Sequence, residues 1–598
     1  MFRRRIGISS VAVLCPLLLS PAFAGTVSPQ LAVLPPNQTV QVIVQHTPGL
    51  VNSLVSTVCG VLDLIQLLPD GELCSMTASS AINLAKTASV AHVSVNNTLQ
   101  SLGAPLPVYD YMPQTLQPPA VASVGASSNS GPTPGAGIGV AVIDSGIHIN
   151  QDLTGNSTSL LGLLNIFPNV VYAESFVPGE DVDDYYGHGT HIAGIIAGNG
   201  ANSSGSKYLV NIHGVALGAH LINLKVLDRN GASTDAAVIR AIERAIQLKP
   251  IYNIKVINLS LGRPIFESYK TDPLCREVEK AWQAGITVVV AAGNGGRDNS
   301  VGNHGYATIA APGNDPLVLT IGALNTESTP SRADDVMTTY SSKGPTLIDH
   351  IAKPDLIAPG NRIFSIRVPG STLEGQEPAN VVPLAAYEKS PSAGQVSNYF
   401  ILSGTSMATG AASGAVAALL DAQNLTPDQV KGRLMKTAYR TLPQTSVITD
   451  TTTNQTFTIQ YDVFTLGAGY VDLTAALASK DIVPANRNAA SPVAVASLPT
   501  ASGQRTVYLQ NDSSQSAVWG STAVWGSTAV WGSTAVWGSS AWSGSTAVWG
   551  STAVWGSTAV WGSGTDAGST AVWGSTAVWG STAVWGSSLD GDPDAGAR

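Results

Sequence analysis

The sequence predicts an α/β fold: a mostly parallel sheet with helices on both faces, preceded by a small α+β unit and followed by a β-prone repeat region. Three observations carry this. Short apolar runs such as Gly137-Ile138-Gly139-Val140-Ala141-Val142-Ile143 have the pattern of strands buried on both faces. From residue 137 to residue 480 such runs alternate with amphipathic helical segments, the rhythm of βαβ units. The last part of the chain repeats Ser-Thr-Ala-Val-Trp-Gly, rich in residues that favour strands.

The chain opens with an export signature. Arg3-Arg4-Arg5 precedes an apolar run from Ile6 to Leu19, and Ala22-Phe23-Ala24 supplies small residues at cleavage-site spacing, so residues 1–24 read as a signal peptide. The expected destination is outside the cell or on its surface, with no membrane span once that peptide is removed. A formal charge of −9, from 30 Lys+Arg against 39 Asp+Glu, argues against nucleic acid as a partner. Four cysteines are too few for a disulfide scaffold. Cys15 leaves with the signal, Cys59 and Cys74 have the spacing to pair across a short loop, and Cys275 reads as a buried small hydrophobe.

Residues 25–110 read as the α+β unit. Thr39–Gln45 and Val90–Val95 alternate as strands, Ser80–Ala88 has a short helical pattern, and Val51–Leu68 is a further apolar helical segment. After a signal peptide, this is either a structural N-terminal domain or a removable pro-segment. The Pro-, Ser- and Gly-rich stretch that follows, through residues 111–136, reads as an exposed linker of the kind readily cut, which decides for a pro-segment at 25–110.

From Gly137 the elements follow in order. The first strand ends in Asp144, at the end where open α/β sheets place their sites; its bland reading is a turn or capping residue. Tyr186–Gly198 opens a small-residue helix carrying His188 and His191. A metal pair is the competing reading of these two, but no glutamate accompanies them in an H-E-x-x-H arrangement. His220–Leu227 is a strand, Asp235–Leu248 a helix, Lys255–Gly262 a strand, and Pro273–Ala284 a helix. Ile286–Asn294 and Leu317–Ala323 are further strands. Finally, Ser403-Gly404-Thr405-Ser406-Met407-Ala408 leads into an Ala-, Gly- and Ser-rich helix running to Leu420. Ser406 stands at its mouth, where the helix N-terminus favours a developing anion. A buried packing helix is the bland alternative.

Read together, Val142-Ile143-Asp144-Ser145-Gly146, Gly187-His188-Gly189-Thr190-His191, Ala291-Ala292-Gly293-Asn294 and Gly404-Thr405-Ser406-Met407-Ala408 resemble the subtilisin-like serine proteases over residues 137–480. Tyr340–Thr346 and Lys353–Gly360 add two family-like connections, and the order Asp, His, Ser is the family's. The resemblance implies a secreted serine endopeptidase acting on protein or peptide substrates, made as a zymogen with its own pro-segment as a partner. It implies that Ser406 is the nucleophile, His188 the general base, Asp144 its orienting partner and Asn294 an oxyanion donor with the Ser406 N–H. A turn residue is the alternative for Asn294, and His191 is expected to be structural. By the same resemblance, Ser260-Leu261-Gly262 and Ala291-Ala292-Gly293 bind substrate main chain as added strand. No cofactor is required for the chemistry. Structural calcium is common in the family, but no ligand is named here.

Two departures stand out. Gly410 replaces the proline usual in the family shortly after the nucleophile, and the stretch near residues 375–394 reads as an insertion, a candidate surface loop over the cleft. Beyond a Pro/Ala/Ser-rich linker at 481–515, residues 516–588 hold the repeats, with a solvated tail at 589–598. Trp519, Trp525, Trp531 and Trp537 are six apart, and later tryptophans return to the same phase. An even period puts every Trp on one face of a strand, so an ordered stack is expected that self-associates or binds a surface polymer. Two classes of function stay open: a secreted protease, or a surface or adhesive repeat protein whose protease-like domain is inert.

Overall fold

The computed structural model describes residues 25–47, 65–68, 71–87, 89–102, 133–154, 169–300, 302–327, 329, 331–450, 454–483, 488–496 and 507–510. The signal peptide, the linker at 111–132 and the repeats lie outside the described residues. The chain divides into two compact units, residues 1–95 and 96–598.

The first unit is a five-stranded sheet with two short helices. Its elements are β1 (Thr26–Val27), α1 (Pro29–Val33), β2 (Thr39–His46), β3 (Ile65–Leu68), β4 (Gly71–Thr77), α2 (Ala78–Leu84) and β5 (Val90–Val95), with strand order β1-β5-β2-β4-β3. Alternation along β2 points Val42 and Val44 into a core with Leu31, Ala81 and Leu84, and a register shift opposite Gln45 and His46 lets both Val90 and Val93 of β5 join it. The apolar segment 51–68 was expected to be helical. Its last four residues instead form β3, paired antiparallel with β4, and the rest lies outside the described residues. A run of Ile, Gln and Leu that short has no periodicity to separate helix from strand. Cys74 is disulfide-bonded, and Cys275 is free and buried.

The second unit begins with β6 (Thr98–Ser101) and is built on an eight-stranded sheet. The sheet comprises β7 (Gly139–Asp144), β8 (Val170–Ser175), β9 (His220–Lys225), β11 (Ile254–Leu259), β13 (Thr287–Ala291), β14 (Leu319–Asn325), β15 (Val336–Met337) and β16 (Leu356–Pro359). Between them in the chain lie the short strands β10 (Ala232–Thr234) and β12 (Leu261–Gly262). The order is β15-β14-β13-β11-β7-β9-β8 with β16 also on β14, and only β15 pairs antiparallel. Every residue of β7, β13 and β14 is buried, the reason these strands read as continuous apolar runs. Helices α3 (His188–Ala197), α4 (Asp235–Tyr252), α5 (Pro273–Gln283), α6 (Thr372–Gln376), α7 (Thr405–Ala422) and α8 (Pro427–Thr437) belong to the same unit, with shorter helices and strand pairs beyond them.

Helix α7 is the core of this unit. Every residue from Thr405 to Leu420 is buried. A helix enclosed on all sides between sheet and neighbouring helices has room only for small side chains, which explains its composition. At Gly410 an added Cβ would stand 3.2 Å from Ile195 Cγ2 of α3, so the position that departs from the family's proline is a tight helix–helix contact. The helix runs unbroken through it.

Within the stretch at 375–394, Val382 and Tyr387 form an apolar cluster with Tyr399 and Ile212, and Leu209 N–H donates to Tyr387 O at 2.8 Å. The composition that suggested a linker at 481–515 belongs, among its described residues, to a strap folded on the body. Ala494 N–H donates to His350 O, Ala352 N–H donates to Pro492 O, and Val493–Ala496 pairs with Val507–Gln510. Ser491 Oγ accepts from Lys431 Nζ at 2.9 Å and bonds Asp355 Oδ1 at 2.5 Å, inside a fully buried Lys353–Asp355–Lys431 group. Ser491→Ala is therefore expected to lower the unfolding free energy by ~1–3 kcal/mol through loss of the hydroxyl that donates to buried Asp355, while Lys431 Nζ keeps Pro316 O and Val318 O as acceptors. A shifted denaturant midpoint at unchanged slope is the check.

Candidate active site

The site lies at the C-terminal end of the parallel strands. Asp144 closes β7, and His188 opens α3 after Gly187, whose φ of 99° suits glycine. The approach of α3 to β7 depends on Gly189, where a Cβ would fall 2.2 Å from Gly146 O. His188 Nδ1 is then 2.7 Å from Asp144 Oδ1, with both side chains fully buried. Asp144 Oδ1 also accepts from Ser145 N–H at 2.7 Å. An acceptor on Nδ1 fixes the proton there and leaves Nε2 as the basic nitrogen. His188 Nε2 has no hydrogen-bond partner among the described residues.

A residue that the sequence reading missed holds this pair in place. Asp184, fully buried, accepts from Gly187 N–H at 2.7 Å, Thr190 N–H at 2.8 Å and Thr190 Oγ1 at 2.7 Å, and also from Ser145 Oγ at 2.8 Å. It therefore ties the first turn of α3 to the residue following Asp144. The signal available was an acidic residue a few positions before a helix start.

His191 is structural, as expected from its place in the motif. Its Nε2 lies 3.1 Å from both Ile363 O and Phe400 O, and burial, followed by the charge of His188, pushes its pKa down to about 3. In the unfolded chain a histidine titrates near ~6.5. The unfolded state therefore binds the extra proton between those values, and stability falls as pH drops from ~6.5 toward 3, by up to ~1.4 kcal/mol per pH unit. Denaturant unfolding at a series of pH values is expected to show this slope, reduced in His191→Gln.

Ser406 lies in the first turn of α7. Its Oγ donates to Ser260 O at 3.0 Å, and Ser260 Oγ donates to Ser406 O at 3.1 Å. Buried Asn258 stands behind them: its Nδ2 donates to Ser260 Oγ at 2.9 Å, and its Oδ1 accepts from Ser413 Oγ at 2.9 Å. Asn294 is oriented by Thr405, whose N–H and Oγ1 both donate to Asn294 Oδ1 at 3.0 Å. That leaves the Asn294 amide NH₂ pointing elsewhere, and it donates to Leu102 O.

Residues 98–102 of the chain itself lie against these groups. β6 is the middle strand of a three-stranded sheet, antiparallel to β10 and to β12. Leu102 N–H donates to Ser260 O at 3.1 Å, and Ser101 N–H donates to Gly231 O at 3.1 Å. Leu99 is fully buried. Gly262 leaves room for the Leu102 side chain: a Cβ there would sit 2.9 Å from both Leu102 Cδ1 and Ala311 O and 3.0 Å from Ala310 Cβ.

Of the two predicted substrate segments, Ser260-Leu261-Gly262 flanks this strand. Ala291-Ala292-Gly293 does not: Ala291 pairs with Ile321 in the main sheet, Ala292 N–H donates to Ile321 O, and Gly293 N–H donates to Thr405 Oγ1. The second flanking strand is Ala232–Thr234, hidden in the sequence because a Ser-Thr pair before an amphipathic helix reads only as a cap. Among the described residues no group of three or more His, Cys, Asp or Glu side chains converges on a metal position, so no calcium ligand is assigned. Nor is any described helix long and apolar enough to cross a membrane.

Comparison with known proteins adds the following. A family model described as the subtilase family matches residues 135–469. Serine protease AprX of Bacillus subtilis is 40% identical over 304 residues, covering 50% of this chain and 60% of AprX. Subtilisin E of the same organism is 33% identical over 359 residues, 59% of this chain and 72% of that protein. Subtilisin DY of Bacillus licheniformis is 32% identical over 306 residues, 51% of this chain and 84% of that protein. The chain thus spans well under two thirds of the length of AprX.

Proposed function

The chain belongs to the subtilase family, and from that premise we propose that it is a secreted serine endopeptidase, made as a zymogen that cuts itself between Leu102 and Gly103. The observation that carries this reading is the position of Leu102, with its N–H on Ser260 O and its carbonyl on the Asn294 amide. Those are the bonds expected of the residue before a scissile bond, one fixing the strand and one stabilising the oxyanion.

The chemistry follows from the residues. The Ser406 hydroxyl leaves Ser260 O for His188 Nε2, which takes its proton as Oγ attacks the Leu102 carbonyl carbon. Negative charge then builds on Leu102 O, where Asn294 Nδ2 already donates. Asp144 holds the Nδ1 proton and stabilises the imidazolium. The Leu102–Gly103 bond breaks as His188 passes its proton to the Gly103 nitrogen, leaving Leu102 esterified to Ser406. His188 Nε2 then takes a proton from water as its oxygen attacks the ester carbonyl, and passes that proton to Ser406 Oγ as the ester breaks, restoring the hydroxyl. Export rests on the segment from Arg3 to Ala24. The repeats at 516–588 are read as an ordered stack that self-associates or binds a surface polymer.

A serine-directed fluorophosphonate is expected to label the matured protein stoichiometrically and to stop casein hydrolysis. An unlabelled, inactive protein would instead fit an inert domain carrying an adhesive repeat. The pocket gives a further expectation. Gly262→Ala should lower kcat/KM for peptides with leucine before the cut, relative to alanine, by about tenfold or more, since a methyl group there collides with Leu102 Cδ1. Paired assays on two otherwise identical peptides measure it.

A further inference from the structure

The ladder that holds residues 98–101 is followed, one step further out, by a contact of a different kind. Asn97 is gripped at both of its main-chain polar groups by one residue: its N–H donates to Asp235 Oδ2 at 3.2 Å, and its carbonyl accepts from Asp235 N–H at 2.9 Å. Asp235 directly follows β10, one wall of the strand-binding gap. Arg263 directly follows β12, the other wall. Arg263 Nε donates to Asp235 Oδ1 at 2.8 Å, and Arg263 Nη2 donates to both oxygens of Asp272 at 2.8 Å. All three side chains are buried. The guanidinium thus spans the two walls and fixes the carboxylate with Oδ2 toward the bound strand. A buried ion group of this kind is weak evidence for stability as such, whereas its orientation toward a peptide N–H is specific. Counted back from Leu102, Asn97 is the sixth residue before the bond.

We propose that Asp235 is a main-chain-reading subsite for the sixth residue before the cut, with Arg263 as its positioning residue, so that the enzyme favours extended polypeptide reaching that far. This rests on the reading of Leu102–Gly103 as the scissile bond. The grip takes an N–H and a carbonyl first, with the Asn97 side chain also bonding Asp235 and Asn96 Oδ1 accepting from Ala236 N–H at 3.0 Å, so it favours a polar residue there and excludes proline, which has no N–H to give. A contact made equally in ground and transition states lowers KM and leaves kcat unchanged.

The test uses the full-length protein after self-processing and three fluorogenic peptides with the reporter amide following leucine. One carries the sequence of residues 99–102, one that of 96–102, and one is the longer peptide N-methylated at the residue corresponding to Asn97. The longer peptide is expected to exceed the shorter by at least roughly tenfold in kcat/KM, through KM, as befits a hydrogen bond to a charged group. The N-methylated peptide is expected to lose most of that gain, and Asp235→Ala to bring the long and short peptides together. Equal values for all three peptides, or a gain that survives N-methylation, would overturn the subsite while leaving the scissile-bond reading intact. Failure to cleave any of them after leucine would overturn that reading, and the subsite with it.

Discussion

Ser406→Ala is expected to reduce peptide hydrolysis by ~10⁶-fold, the scale found when the nucleophile of such a triad is removed. Among the described residues, the neighbouring hydroxyls of Ser260 and Thr405 are engaged elsewhere. The Ser260 hydroxyl is committed between Asn258 Nδ2 and Ser406 O, and Thr405 Oγ1 donates to Asn294. His188 and Asp144 should keep their geometry, because Asp184 and Ser145 hold them independently of α7. The variant should therefore keep its fold, with residues 98–102 still held between the two flanking strands. Hydrolysis of a leucine peptide and fluorophosphonate labelling, measured side by side, check this. Appreciable turnover in the variant would assign the nucleophile elsewhere.

Asn294→Ala is expected to lower kcat by ~10²–10³ with little change in KM, a range carried over from subtilisin. The structural argument is that Thr405 engages Asn294 Oδ1 twice, which leaves the NH₂ group no freedom to turn away from Leu102 O. A donor preset in this way acts most strongly on the oxyanion and weakly on the neutral carbonyl, so the loss falls on kcat. Equal kcat in variant and parent would return Asn294 to the role of a turn residue after Gly293.

The contrast between these residues and those the sequence concealed has a physical basis. Asp144, His188, Asn294 and Ser406 were legible because each sits in a short motif whose glycines and small residues serve close packing within a few positions. The strands of the main sheet were legible because burial on both faces leaves unbroken apolar runs. Ala232–Thr234 was not, since its strand character exists only through pairing with residues 98–101, far away in the chain. Asp184 looked like one more acid in a charged turn, yet it gathers four donors. Arg263 and Asp235 gave no signal, because a buried ion pair between distant residues leaves no local pattern. The strap at 488–496 was masked by its composition: small residues that suit a linker also suit a segment pressed flat on a protein surface, and Ser491 joins Pro316 O and Val318 O as an acceptor for the buried Lys431.

The central claim is that this chain is cut by its own Ser406 at the bond following Leu102. Intact-mass and N-terminal analysis of the protein expressed without other proteases tests it most directly. A mature chain beginning at Gly103 is expected in the parent, and an uncut chain in Ser406→Ala. The same Gly103 terminus in the alanine variant, or a parent cut elsewhere with Leu102–Gly103 intact, would contradict it.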